Sequence, residues 1–288
     1  MAHFGHPVPR SRYGDDVSSL AERLVAQHPG GVRDLVQVSD RVWVSQSMTY
    51  ATNSVVLLID AGRGECVVVG PAVTPADVVG LAAVIAAKGW QAVAGISTHP
   101  HWDHLLWSSK LGAVPRYASP RAIAALTRSV VSQAVVAADA CAPGHDLAYL
   151  TSLTALAEVC VTATAGVEQV GTQWGRELVA PPEIPGLRVF EHSAHAPGHL
   201  VIVYNDVVLV GDMLSDVEPP LLDDGTETGP PVGDPIADYL AGLDLLENLV
   251  SRHGVDVAVP GHGSIAQGRE AIAARLAKDR AWLAQRQV

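Results

Sequence analysis

The chain has 288 residues, 48% hydrophobic and 17% charged, enough apolar content to bury a sizeable core in one large domain or two small ones. Its formal net charge of -11, with no basic run, argues against a polyanionic partner, because a nucleic-acid surface needs clustered Lys and Arg. Cys66, Cys141 and Cys160 are far apart and form no C-x-x-C pair, so neither a disulfide framework nor a thiolate zinc site is expected.

The first residues, Met1 to Asp16, are polar and broken by Pro7, Pro9 and Gly14, without the apolar stretch of a signal peptide. No apolar run reaches the ~18 residues of a membrane span, so a cytoplasmic protein with no membrane partner is expected. Arginine outnumbers lysine and alanine is abundant, which suits a GC-rich bacterial genome.

Asp16 to Gln27 reads as a short helix with Leu20, Leu24 and Val25 on one face. Val42 to Ser45, Ser54 to Asp60 and Glu65 to Val69 read as strands rich in β-branched residues, with a hairpin turn at Ala61-Gly62-Arg63-Gly64. Thr74-Pro75 opens a helix, Thr74 as N-cap and proline at the first helical position, with Val78, Leu81, Val84 and Ile85 as its buried stripe. Val93 to Thr98 is the next strand. Ser119-Pro120 starts a helix with Ile123, Leu126, Val130 and Val131 in register, and a second helical stretch runs from about His145 to Val159. Strands resume at Leu187 to Glu191, Leu200 to Tyr204 and Val207 to Val210, the last two joined at Asn205-Asp206. A Pro/Gly/Asp-rich loop spans Val217 to Pro235. A helix from about Ile236 to Arg252, a strand from Asp256 to Val259 and a helix from Ala266 close the chain. This order suits two packed sheets with helices outside, and no linker divides it. One domain over 1–288 is expected, with an N-terminal extension over about 1–30 and a helical insertion over about 119–160.

The chemistry concentrates after the strand at Val93. Thr98-His99-Pro100-His101-Trp102-Asp103-His104 packs three imidazoles and a carboxylate together. Such a group is costly to bury unpaired, and its donors suit zinc, iron or manganese. Three further motifs follow: Ser193-Ala194-His195-Ala196-Pro197-Gly198-His199 before a strand, Val210-Gly211-Asp212-Met213-Leu214 at a strand end, and Val259-Pro260-Gly261-His262-Gly263 at another.

H-x-H-x-D-H with these three motifs resembles the metallo-β-lactamase fold superfamily over roughly Asn53 to Gly263. The resemblance implies an α/β protein of αββα four-layer sandwich form: two mixed sheets flanked by helices, in two pseudo-duplicated halves. It implies two divalent metal ions, zinc first with iron or manganese as alternatives. His99 and His101 would bind one ion, Asp103 and His104 the second, Asp212 would bridge them, and His262 would complete the second site. Either His195 or His199 can complete the first; counting back from the strand favours His195, leaving His199 in support. Trp102 packs beside the metals by this reading, and Ser215 stands where lactonases carry a tyrosine, so both are supporting or pocket-lining positions. Many family members carry a supporting aspartate after the strand corresponding to Glu65 to Val69, but here that strand runs into Gly70-Pro71. His145 and His192 are further pocket candidates, while His3, His6, His28 and His253 read as solvent-exposed. Arg269, Arg275, Lys278 and Arg280 read as the solvated face of a helix.

The resemblance further implies hydrolysis of an ester, lactone, thioester or amide of a small molecule by a metal-bridging hydroxide, with Asp103 and Asp212 as catalytic carboxylates. The bridging Asp212 argues against β-lactamase activity proper. A mononuclear iron enzyme of the persulfide dioxygenase type is the alternative, and a non-catalytic binding protein a third. A homodimer is the assembly considered. Leu126, Val130, Val131, Val135, Leu147 and Leu150 serve as core or as a pocket for an acyl or aromatic group, with core preferred.

Overall fold

The computed structural model describes residues 34–158, 175–179, 184–223 and 233–286. The helix expected over 16–27, together with His3, His6, His28 and Cys160, lies outside them, as does part of the loop expected between Val217 and Pro235. The chain begins with β1 (Val36–Ser39), β2 (Val42–Gln46), β3 (Asn53–Asp60), β4 (Glu65–Val69), helix α1 (Pro75–Ala87), β5 (Gln91–Ile96) and β6 (Arg116–Ala118). Helices α2 (Pro120–Ala125) and α3 (Arg128–Cys141) lead to β7 (Thr154–Ala155). The second half holds β8 (Ala157–Glu158), β9 (Arg176–Val179), β10 (Leu187–His192), β11 (His199–Tyr204) and β12 (Val207–Leu209). Helix α4 (Pro235–Arg252), β13 (Val257–Val259), β14 (Ala266–Gln267) and α5 (Arg269–Ala284) complete it.

The strands form two seven-stranded sheets, β1 to β7 in sequence order and β14 to β8 in reverse order. In the first, β1 to β4 pair antiparallel and β4 to β7 parallel. In the second, β12 and β13 are parallel neighbours, joined through α4 as β4 and β5 are joined through α1.

Period-two alternation assigns the faces. Val55 and Leu57 of β3, and Val67 and Val69 of β4, meet Leu200, Ile202 and Leu209 between the sheets. Their neighbours Val56, Leu58, Cys66 and Val68 point outward, where Val78, Leu81 and Ile85 of α1 cover them. Val201, Val203 and Val208 of the second sheet are covered by Leu243, Leu246 and Leu249 of α4 and by Ile272, Leu276 and Leu283 of α5. The result is the expected four-layer αββα arrangement of two mixed sheets. No described helix is long and apolar enough to cross a membrane.

Local signals set the boundaries. At α1 Thr74 Oγ1 accepts from the Asp77 N–H at 3.1 Å while Asp77 Oδ2 accepts from the Thr74 N–H at 3.1 Å, a reciprocal cap worth about 1 kcal/mol. The helix expected from Ser119 is broken in two, because the Thr127 hydroxyl accepts from the Val130 N–H and starts α3 afresh. The helix expected over His145 to Val159 is not formed. A single 3-10 turn at Leu147–Leu150, capped by Asp146, gives way to β7 and β8. The three-residue spacing of Leu147, Leu150 and Leu153 imitates a helix, but the chain joins the free edge of β6, pairing Tyr117 with Thr154. The C-terminal helix begins at Arg269 rather than Ala266, since Ala266–Gln267 pairs with β13 first.

Candidate metal centre

The donor residues gather along one edge shared by both sheets. His99 to His104 follow β5, Asp212 follows β12 and His262 follows β13, so they occupy the carboxyl ends of the parallel strands, where open α/β sheets form their clefts. His195 lies in the turn between β10 and β11. Leu200 N–H donates to Thr98 O at 2.8 Å, and Asn53 N–H to Gly261 O at 2.7 Å, stitching the sheets together beside the site.

His99, His101, His195 and Asp212 form one donor group and Asp103, His104 and His262 another, each with its donor atoms within 4.8 Å of one another. In the first group His195 Nε2 lies 3.3 Å from His99 Nε2 and 3.1 Å from His101 Nδ1. Asp212 Oδ2 lies 3.3 Å from His99 Nε2 and 3.5 Å from His195 Nε2. A tetrahedral zinc with bonds of about 2.0–2.1 Å separates its ligands by roughly 3.3 Å, so these spacings are those of a coordination shell. In the second group His104 Nε2 lies 3.2 Å from His262 Nε2, and Asp103 Oδ2 lies 3.4 Å from each of them. Asp212 reaches this group too: Oδ1 is 3.2 Å from His104 Nε2, and Oδ2 is 3.2 Å from His262 Nε2. Oδ1 is buried and makes no hydrogen bond of acceptable geometry among the described residues, which fits a carboxylate meant for cations on both sides.

The outer nitrogens of these imidazoles are anchored. His195 Nδ1 donates to Leu221 O at 3.0 Å and His262 Nδ1 to Tyr50 O at 3.0 Å, while Thr98 Oγ1 is 3.0 Å from His99 Nδ1. A carbonyl partner puts the proton on Nδ1 and turns the Nε2 lone pair toward the centre. Asp212 is anchored through its backbone, its N–H donating to His199 Nε2 at 3.1 Å, and His199 Nδ1 meets His192 Nε2 at 2.8 Å. At Gly70, where the resemblance leads to an expected aspartate, an added Cβ would stand 3.6 Å from His104 Nδ1.

Charge is balanced inside the group. Burial drives His99 well below the usual imidazole value and takes His101 and His195 down to about 4 each. All three are therefore neutral at pH 7, with lone pairs free. Burial pulls His104 and His262 down as well, but the carboxylates of Asp103 and Asp212 outweigh it and raise both. Burial pushes Asp103 and Asp212 upward, and the facing His104 and His262 reverse this and hold both carboxyls ionised. Cations bound among these carboxylates would compete with the protons that the same carboxylates favour on His104 and His262.

The structure brings together His99, His101, Asp103, His104, His195, Asp212 and His262, and places His199 against the backbone of Asp212 rather than in a donor group. Trp102 lies partly buried against Ala72, Val73 and Ala142. Ser215 Oγ accepts from the N–H groups of Val217 and Glu218 and shapes the loop after Asp212. His145 Nε2 donates to Val73 O at 2.7 Å. Two expectations are corrected. His253 is half-buried, its Nε2 2.9 Å from Arg188. Of the basic residues of α5, Arg269 is exposed as expected, but Arg275, Lys278 and Arg280 are half-buried and bonded. Arg275 donates to Leu214 O and Ser264 O, Lys278 to Ser215 O, and Arg280 to Asp244 and Glu247, because the free carbonyls after Asp212 lie under that helix.

Sequence reading missed Tyr50, Leu221 and Glu218. The first two act through backbone carbonyls, which carry no side-chain signature; Tyr50 does so at a φ of 56° beside Ala51 at 50°, strain of the kind that gathers at functional sites. The Tyr50 hydroxyl bonds to the Cys141 sulfur, and that bond with burial pushes it up to about 12. Glu218 is raised by burial and feels the charges of His262, Asp212, Asp103 and His104.

No protein-family model and no curated protein matches the sequence. Solved structures do. A metallo-β-lactamase from Hirschia baltica aligns over 86% of this chain and 97% of its own, with a TM-score of 0.53 at 15% identity. The DIM-1 metallo-β-lactamase exposed to ceftazidime aligns over 88% and 99%, at 0.51 and 14%. FIM-1 from Pseudomonas aeruginosa, in its mono-zinc form, aligns over 87% and 96%, at 0.51 and 13%. Two stacked mixed sheets, helices on both outer faces and paired His/Asp groups on the shared edge agree with these likenesses: this chain has the metallo-β-lactamase fold.

Proposed function

We propose that the protein is a metal-dependent hydrolase with a dinuclear centre, zinc in the first instance, that cleaves an ester, lactone, thioester or amide bond of a small molecule. The observation that carries this reading is the sharing of Asp212 between two buried donor groups. Two divalent cations, when bound, supply Lewis-acid polarisation of a carbonyl and a water made acidic enough to react near neutral pH. His99, His101 and His195 offer a neutral donor face for one cation, and Asp103, His104 and His262 a more anionic face for the other. Asp103, buried and held ionised by His104 and His262, would accept the water's proton on the carboxylate oxygen not given to the cation.

The printed β-lactamase names of the matched structures describe those proteins, and at 13–15% identity the likeness supports the scaffold alone. Elemental analysis of the purified protein, with hydrolysis of 4-nitrophenyl acetate before and after chelation, tests the proposal. Two zinc ions per chain and an activity abolished by Asp103→Ala are expected. One iron per chain with no hydrolysis would favour the oxygenase alternative and overturn this reading.

A further inference from the structure

We propose that the cavity between the Pro100–Trp102 segment and helix α3 seats the acyl chain of the substrate, making the protein selective for uncharged, medium-length acyl groups. This rests on the hydrolase reading above. The cavity holds about 230 Å³ and is walled by Pro100, His101 and Trp102 on one side and by Val130, Ala134 and Ala137 of α3 on the other. His101 belongs both to this wall and to the first donor group, so a carbonyl held at that group has its substituent at the cavity's entrance.

The helix explains why space exists there. Val130, Gln133, Ala134 and Ala137 recur at helical spacing and share one face. Two of them are alanines, too short to fill the gap to Trp102. The larger apolar residues of the insertion, Leu126, Val135, Leu147 and Leu150, pack with Leu105, Leu106, Ala134 and Trp102. They form core, as the sequence favours, and leave the helix side at Gln133 and Ala137 open to the cavity.

The chemistry of the wall selects the occupant. None of its lining residues is Lys, Arg, Asp or Glu, and its polar side chains are the His101 imidazole and the Gln133 amide. A charged chain end would sit there unpaired, at a large desolvation cost, so an uncharged apolar chain is the group that fits. The surroundings agree. Met48, Tyr50 and Leu221 leave 74%, 50% and 42% of their surface exposed, and they lie on the two segments whose carbonyls hold His262 and His195. Exposed apolar side chains thus stand on two segments beside the donor groups, next to a cavity whose wall carries no charged side chain.

The test uses the metal-loaded full chain and 4-nitrophenyl acetate, butyrate and hexanoate, which share a leaving group and differ in the acyl chain. Each buried methylene is worth about 0.8 kcal/mol, so kcat/KM is expected to rise roughly fourfold per methylene until the cavity fills. Ala137→Phe, which fills it from the helix side, is expected to lower the hexanoate value at least about tenfold more than the acetate value. A second readout is independent of turnover: hexanamide binding to the metal-stripped protein, followed by tryptophan emission, should be saturable. That signal should vanish in Ala137→Phe and in Trp102→Phe. A flat chain-length profile in an active protein overturns the inference and leaves the hydrolase reading standing. So does an Ala137→Phe protein that lowers all three esters equally. If Ala137→Phe fails to fold, Val130→Ala must move the preferred chain length upward, and no movement overturns the inference. If no ester is cleaved, the ester branch of the hydrolase reading falls, and hexanamide binding alone decides whether the cavity takes an apolar chain.

Discussion

A methyl group on Gly261 would overlap Oδ1 of Asp212, and one on Gly211 would overlap the ring of His199. Glycine at both positions lets the backbone press against the bridging carboxylate and its supporting imidazole. Gly261→Ala is therefore expected to displace Asp212 and lower metal content below two per folded chain by elemental analysis; unchanged stoichiometry would refute that placement. His199→Leu removes the acceptor for the buried Asp212 N–H. The orphaned donor should lower stability by about 1–3 kcal/mol, and metal affinity should fall about 10–100-fold, the usual effect of losing such a support. A competition titration against a chelator would read the second effect, and wild-type affinity would count against it. At this scale the sequence was informative wherever a side chain does the work: His99, His101, Asp103 and His104 announce themselves by crowding, and His195 by its distance from the following strand. Tyr50 O and Leu221 O were invisible, because every residue has a carbonyl and only the fold says which ones face an imidazole.

Helix α5 governs the loop that carries Asp212 away from β12. Arg275 and Lys278 hold the carbonyls of Leu214 and Ser215, and Asp279 Oδ2 accepts from the Leu214 N–H at 3.2 Å and from the Tyr239 hydroxyl at 3.3 Å. Burial raises the Asp279 carboxyl from its ordinary value to about 6, so the folded protein binds this proton more tightly than the unfolded chain does. The resulting stability is fully present below about pH 4 and is lost as pH rises through 6. Asp279→Asn keeps an acceptor for both donors and removes the charge. Its stability should match wild type at pH 4 and exceed it by up to about 3 kcal/mol at pH 7.5. Thermal melts at the two pH values check this, and an equal difference at both would contradict it. Elements with a long, clean period, such as β3 and α1, were legible in the sequence. The stretch after Asp146 was not, because two-residue strands such as β7 and β8 have no period to read and owe their existence to the edges they join. Arg275 and Lys278 misled for a related reason: a charged helix face looks solvated until the carbonyls beneath it are known.

Across the whole molecule the four layers follow from alternation in the strands and apolar stripes on the helices, and both were readable. The packing of two sheets was expected from the order of elements, but the pseudo-duplication that makes distant motifs meet was reachable only through the family resemblance. Each donor group draws on both halves: His99 and His101 with His195 and Asp212, then Asp103 and His104 with His262. Cations bound there bridge the sheet interface and should stabilise the fold as a whole. At a free metal concentration 100 times Kd the gain is about 2.7 kcal/mol per site. Chelation should accordingly lower Tm by several degrees, and restoring zinc should recover it; a Tm insensitive to chelation would mean that the groups hold no ion.

The backbone passes from one sheet edge to the other at a single position, Leu156, between Ala155 of β7 and Ala157 of β8. That crossing divides the polypeptide into two pieces, each with its own sheet and its own outer helices. Neither piece owns a full complement of donors, so each is half of a chelator. Supplied as separate fragments cut at this point, the pieces would recognise one another by the ion they can hold only together, and zinc would act as the switch for their reunion.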